Sequence, residues 1–130
     1  MPPEDAGSRR DDARSEAREQ AVMLLYEAEQ RSVPVTSLLA ERSVVSGELT
    51  SLIVGGVEVS SASIDATISS HSRGWTIERM PALDRAILRV GVFELTERPD
   101  VPVAVVIDEA VRLAKRFSTD DSGRFVNGVL

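Results

Sequence analysis

The sequence contains no cysteine. Disulfides, thiolate metal sites and a cysteine nucleophile are excluded together. A single histidine, His71, leaves little room for a metal centre or for imidazole catalysis, so no metal and no cofactor are expected. Aromatic residues make up only 4% of the chain, so Ala, Val, Leu and Ile must build most of the core. No apolar run approaches the roughly 18 residues of a membrane span, and the N-terminus has no apolar signal core. No membrane partner is expected, and the cytoplasm is the default location. Lysine is almost missing: of fifteen cations, Lys115 is the only one that is not arginine.

What is present fits one globular domain. The 130 residues are 42% apolar, enough to bury a core. The net charge of −6 argues against a protein that coats nucleic acid by bulk attraction. That charge is uneven. Residues 1–70 hold 6 Arg against 12 Asp and Glu, whereas residues 71–130 hold 9 cations against 9 acids. Arginine stacks on bases and forks onto phosphates, so its dominance suits RNA. A GC-rich coding bias explains the same excess, and both readings stand.

The periodicity predicts helices throughout. Residues 1–12, MPPEDAGSRRDD, read as a flexible tail. A helix is expected from about Ala13 to Arg31, with Ala17, Ala21, Leu24, Leu25 and Ala28 on its inner stripe. Arg10, Arg14 and Arg18, four apart, share one side of it. Pro34 starts a short helix through Val35, Leu38 and Leu39, and Ser43 or Ser46 suits the cap of a third. Residues 48–71 keep a helical period despite Gly55–Gly56, which predicts two helices or one bent helix with close packing at the glycines. Trp75 reads as a plug between helices. Pro81 suits the first turn of a helix that is apolar almost all round, and therefore central. Arg98-Pro99-Asp100 ends it. Pro102 opens the next helix, with Ile107, Ala110, Ala114 and Phe117 facing the core. Ser118 caps the last one, with Asp121 in the capping-box position and Asp120 near the positive helix end. The expected architecture is all-α, about seven short helices, a single helical domain over residues 13–130. The last helix reaches Leu130 without a Gly or Asn stop signal, which suggests a short C-terminus.

No catalytic constellation is visible. Asp108-Glu109 and Asp120-Asp121 are neighbours in sequence, so they point apart on a helix and make poor acid–base pairs. GGVEV lacks the spaced glycines and the Lys-Ser/Thr ending of a phosphate loop. His71 sits in a polar helix end and is expected on the surface. The chain reads as a binding module and not an enzyme.

Three motifs in the C-terminal half point to a family. They are WTIERMPALDRAILRVGVFEL (75–95), DVPVAVVIDEAVRLAK (100–115) and STDDSGRFVNGVL (118–130), and AREQAVMLLYE (17–27) joins them. Together they resemble the bacterial NusB antitermination factors from Ala13 onward. The resemblance implies two small packed helical bundles and no catalysis. It also implies partners: a boxA-type single-stranded ribosomal RNA leader, the small-subunit ribosomal protein that acts as NusE, and the antitermination complex of RNA polymerase.

The same resemblance implies site residues. Arg9, Arg10, Arg14 and Arg18 occupy the place of the family's arginine-rich RNA-contacting arm. Single-stranded RNA offers phosphates and splayed bases, and guanidinium groups satisfy both. Yet residues 1–20 hold four Arg against six acids, unlike the dense arginine run common in the family. Lys115, Arg116, Arg124, Phe125 and Asn127 form a second candidate RNA cluster around the closing turn. Phe125 stacks a base or belongs to the core; Asn127 reads a base edge or braces the turn. Tyr26 and Asp84 fall where the family meets its ribosomal-protein partner, with Glu78 and Arg85 flanking. Tyr26 as ordinary helix packing stays open. So do two other roles for the whole chain, the RNA-binding domain of a ribosomal RNA cytosine methyltransferase and a helical scaffold without RNA.

Overall fold

The computed structural model describes residues 5–41, 47–72, 75–117 and 120–130, without the side chains of residues 5–11, 120 and 121. Seven α-helices occur among them: α1 (Asp5–Arg31), α2 (Val35–Glu41), α3 (Glu48–Val59), α4 (Ser61–His71), α5 (Ala82–Glu97), α6 (Val103–Phe117) and α7 (Asp120–Val129). A single 3-10 turn, Ile77–Arg79, leads into α5. No strand occurs among the described residues.

Helix α1 begins at Asp5, eight residues before the expected start at Ala13, so the segment read as a tail is helical over residues 5–12. The physical reason is cooperativity. Once a helix is nucleated further along, extending it through good formers such as Ala and Arg costs little per residue. Its inner face buries Ala21, Val22, Leu24 and Ala28. Its end is a Schellman motif: the Val33 amide donates to the Ala28 carbonyl and the Ser32 amide to Glu29. Ser32 takes the left-handed position there, at φ 55°, where glycine usually sits. Pro34 then prevents continuation.

Helices α3 and α4 form the bent pair foreseen, with 78° between them. Only one of the two glycines is needed for packing. A Cβ on Gly56 would lie 2.1 Å from the Phe93 ring of α5, whereas Gly55 has open space around it. Thr50 is fully buried, and its hydroxyl donates to the Ala17 carbonyl of α1. Among the described residues no single helix is long and apolar enough to cross a membrane. The bent pair passes that test by composition, but Ile53, Val54, Val57, Ile64 and Ile68 are buried in the protein core.

Helix α5 is the central one, as its all-round apolar pattern predicts. It buries Ala86, Ile87, Leu88, Val90, Val92 and Phe93, and packs on α1, α3, α4, α6 and α7. Each large apolar side chain so buried contributes about 1.5–3 kcal/mol of transfer free energy. One bundle gathers α1, α2 and α3, and the other gathers α4 to α7, joined where α5 meets α1 and α3. Gly91 of α5 accepts the Leu130 side chain against its backbone, so the last residue packs on the central helix.

Two aromatic expectations fail. Trp75 is 49% exposed and Phe117 is 37% exposed, so neither is a core plug. Phe117 is in phase with the buried Ala110, Leu113 and Ala114, but it is the last residue of α6 and lies beyond the end of the core. Ile107 is only half-buried; Val106 takes the inner position beside Ala110. The proposed caps Ser43, Ser46 and Ser118, and the side chains of Asp120 and Asp121, lie outside the described residues.

Candidate nucleic-acid and partner interface

The first helix carries the first arginine cluster, and its members part company. Arg14 is exposed, one turn above the core. Arg18 is 4% exposed and lies under the surface. Its Nε donates to Glu94 Oε1 at 2.7 Å and its Nη2 to Glu94 Oε2 at 3.0 Å. Arg98 adds a third bond to the same carboxylate at 3.3 Å. Arg18 is therefore an internal strut between α1 and α5, not the exposed RNA contact expected of it. The signal was in the sequence: Arg18 precedes the buried Ala21 and Val22 by three and four residues, which places it on the inner stripe. Glu94, the partner that sequence reasoning missed, lies between the apolar Phe93 and Leu95 in the central helix, and a buried acid requires a cation. The side chains of Arg9 and Arg10 lie outside the described residues.

The second cluster also divides. Lys115, Arg124 and Asn127 line one groove between α6 and α7, with Asp108 and Gly123. A Cβ on Gly123 would lie 2.9 Å from Lys115 Cγ, so the lysine stem runs along a bare stretch of α7 backbone. Phe125 is elsewhere. It is half-buried against the core, and its ring centroid lies 6.0 Å from that of Trp75, tilted by 49°.

The two cationic groups nevertheless meet. A groove of about 520 Å³ is lined by Arg14, Arg18, Arg98 and Asp100 from one side and by Val105, Asp108 and Glu109 of α6 from the other, so its arginines face acids. Asp108 borders this groove and the Lys115–Arg124–Asn127 groove alike. The clusters thus occupy adjoining faces across α6, not opposite sides of the molecule. Two links hold α1 beside α6: the Ser15 hydroxyl donates to Glu109 at 2.7 Å, and Arg116 Nη1 donates to Glu19 at 2.6 Å. Burial pushes the Glu109 carboxyl up, but the Ser15 hydroxyl and Arg112 outweigh it and the net shift is down. Glu109 therefore stays ionised and joins Arg112 and Ser15 at the groove wall.

The candidate partner residues fall on two features. Tyr26 is exposed on α1, three residues before Glu29. Glu29 accepts from Arg85 and Arg89, and Arg89 also forks onto Asp65 of α4. Arg85 further donates to the Ile77 and Met80 carbonyls, at 3.0 and 2.7 Å, and so fixes the 3-10 turn that carries exposed Glu78. Arg85 is mostly buried and satisfied from within; it organises this patch from beneath.

Asp84 belongs to a separate cleft of about 300 Å³, lined by Trp75, Pro81, Ser122 and Phe125. It is 2% exposed, and its Oδ1 is the one buried side-chain oxygen or nitrogen without a hydrogen-bond partner among the described residues. Burial pushes its carboxyl above the ordinary range, partly offset by a hydrogen bond from Ser122. Two aromatic rings over a desolvated acid suit a cationic side chain.

Among the described residues no group of three or more His, Asp or Glu is placed to hold a metal. The surface offers grooves with guanidinium groups and an aromatic cleft over a carboxylate. That makes the molecule an all-helical binding module. The chain belongs to the NusB family, whose family model matches residues 15–130. The transcription antitermination protein NusB of Beutenbergia cavernae is 48% identical over 132 aligned positions, covering 91% of this chain and 86% of that one. T. maritima NusB has the same fold, with a TM-score of 0.80 at 30% identity over 89% of this chain and 86% of that one. A crystal structure of antitermination factors NusB and NusE in complex with double-stranded RNA is also similar, with a TM-score of 0.77 at 26% identity over 91% and 92% of the two chains.

Proposed function

We propose that this chain is a transcription antitermination factor. It binds the boxA-type element of a nascent ribosomal RNA transcript together with the ribosomal protein that acts as NusE, and joins the RNA polymerase antitermination complex in the cytoplasm. It carries out no catalysis. The observation that carries this reading is that the groove holding exposed Arg14 adjoins, across Asp108 of α6, the groove holding Lys115, Arg124 and Asn127, in a chain of the NusB family.

Within this reading the RNA face comprises Arg9, Arg10 and Arg14 of α1, then Lys115, Arg116, Arg124 and Asn127. Arg18 supports that face from below, through Glu94. Phe125 belongs to the aromatic cleft with Trp75. The ribosomal-protein face comprises Tyr26, Glu78 and the cleft over Asp84, with Arg85 holding the turn. A basic side chain entering the cleft would supply the partner that Asp84 Oδ1 lacks among the described residues.

The net charge of −6 opposes RNA and favours a basic protein. RNA affinity should therefore rise when the ribosomal protein is added. A gel-shift titration with boxA-type RNA, with and without that protein, tests the whole reading. The expected result is weak binding by the chain alone and at least a tenfold gain with the partner. Equal affinity in both titrations, or none in either, overturns it.

A further inference from the structure

Phe117 is a large aromatic residue that the fold leaves in solvent, next to two cations. The Arg116 guanidinium carbon lies 4.9 Å from the Phe117 ring centroid, within cation–π range. Glu19 of α1 accepts from Arg116 Nη1 at 2.6 Å and so restrains the guanidinium over the ring. Lys115, one residue earlier, opens into the groove it shares with Arg124 and Asn127. The link from Arg116 to α1 does not require an exposed ring beneath the guanidinium. Phe117 lies outside the apolar core, and the Glu19–Arg116 pair is exposed enough to contribute little stability.

We propose that Arg116 and Phe117 form a base-stacking subsite for one unpaired nucleotide of a single-stranded RNA. The proposal rests on the RNA-binding reading above and extends it to a position that sequence analysis assigned to the core. A base has a π face, and both a guanidinium plane and a phenyl ring stack on such faces whatever the base. Lys115, on a neighbouring face of α6, takes a phosphate further along the strand, where it enters the Arg124–Asn127 groove. Glu19 orients the guanidinium and also competes with phosphate for it, so it sets the strength of the subsite. The acidic first helix thus tempers RNA affinity at this one place.

The test uses the full chain with the ribosomal protein and a single-stranded boxA-type oligonucleotide in which 2-aminopurine replaces one base at a time. Stacking quenches the probe. At one position the parent chain should quench fluorescence, and Phe117→Leu should restore it while lowering affinity about 5- to 100-fold. Leucine keeps the apolar bulk and removes the ring. Arg116→Lys keeps the charge and removes the plane, so affinity should fall while the slope of log affinity against log salt stays unchanged. Glu19→Gln should raise affinity severalfold. Ribosomal-protein affinity and melting temperature serve as controls; if Phe117→Leu fails them, Arg116→Lys decides the matter alone. A parent chain that binds the RNA while Arg116→Lys and Phe117→Leu bind within twofold of it overturns the subsite alone. A parent chain that does not bind overturns the RNA reading as well.

Discussion

Helix α5 buries two carboxylates ten residues apart, and the protein treats them in opposite ways. Glu94, 1% exposed in the last turn, has both oxygens engaged by Arg18 and Arg98. Asp84, in the first turn, has one hydrogen bond from Ser122 and one oxygen with no partner among the described residues. Location in the helix sharpens the contrast. The positive end of the macrodipole favours Asp84, and the negative end disfavours Glu94, so Glu94 depends wholly on its arginines. A fully paired buried charge is architecture: it fixes α1 against α5 and gains nothing from an outside ligand. A desolvated charge with an empty hydrogen-bonding position can gain a partner, and its cleft admits one.

The largest effect should come from breaking the paired side. Glu94→Ala leaves Arg18 buried without a counter-charge and should destabilise the fold by about 3–5 kcal/mol. Replacing both partners, Arg18→Met with Glu94→Leu, should recover much of that loss, because no uncompensated charge remains. Urea denaturation of Arg18→Met, of Glu94→Leu and of the pair gives the coupling energy. A pair that is no better than Glu94→Ala would show that the contrast has nothing to do with charge pairing.

The unpaired side predicts the reverse sign. Asp84→Asn removes the buried charge and should stabilise the isolated chain at pH 7 by on the order of 1 kcal/mol. The pH dependence follows from the raised carboxyl value. The folded chain holds the proton more tightly than the unfolded one, so the parent is relieved of the penalty below the ordinary aspartate range near pH 4. It loses that relief as pH rises through the folded-state value, and the Asn variant lacks this limb. Ribosomal-protein affinity, measured by calorimetry, should fall about tenfold or more in the same variant. Stability and partner binding moving down together would count against an open carboxylate kept for a partner.

The difference between the two acids also marks how far the sequence was legible. The central place of α5, the bent α3–α4 pair and the close approach at a glycine all follow from hydrophobic period and residue size, which are local. Arg18 and Phe117 were misread for opposite reasons. Arg18 was grouped by its spacing from Arg10 and Arg14, but its phase with Ala21 and Val22 placed it inside. Phe117 has the right phase but lies past the end of the elements that could cover it. Whether a charge in phase with the core is paired depends on Glu94, 76 positions away, and no window of sequence contains both. The splitting of Phe125 from Asn127, two residues on, likewise depends on where Trp75 comes to rest.

The Glu29 network beneath the proposed ribosomal-protein face lies between the two extremes, paired but part-exposed, and should give the smallest effect. Hydrogen bonding from Arg85, foremost, and from Arg89 lowers the Glu29 carboxyl despite its partial burial. A lowered value means the ionised form favours folding. That contribution is fully present above the ordinary glutamate range near 4.3 and disappears as pH falls through the lower folded value. Glu29→Gln should therefore cost less than about 1 kcal/mol at pH 7, and the gap from the parent should narrow between pH 7 and pH 3. Urea melts at the two pH values measure it. The same variant should weaken ribosomal-protein binding only a few-fold, because Arg85 keeps its bonds to the Ile77 and Met80 carbonyls and the turn carrying Glu78 stays in place. A gap that persists unchanged at pH 3 would mean that Glu29 acts through packing and not through its charge. The graded comparison from Glu94 to Asp84 would then lose its middle step.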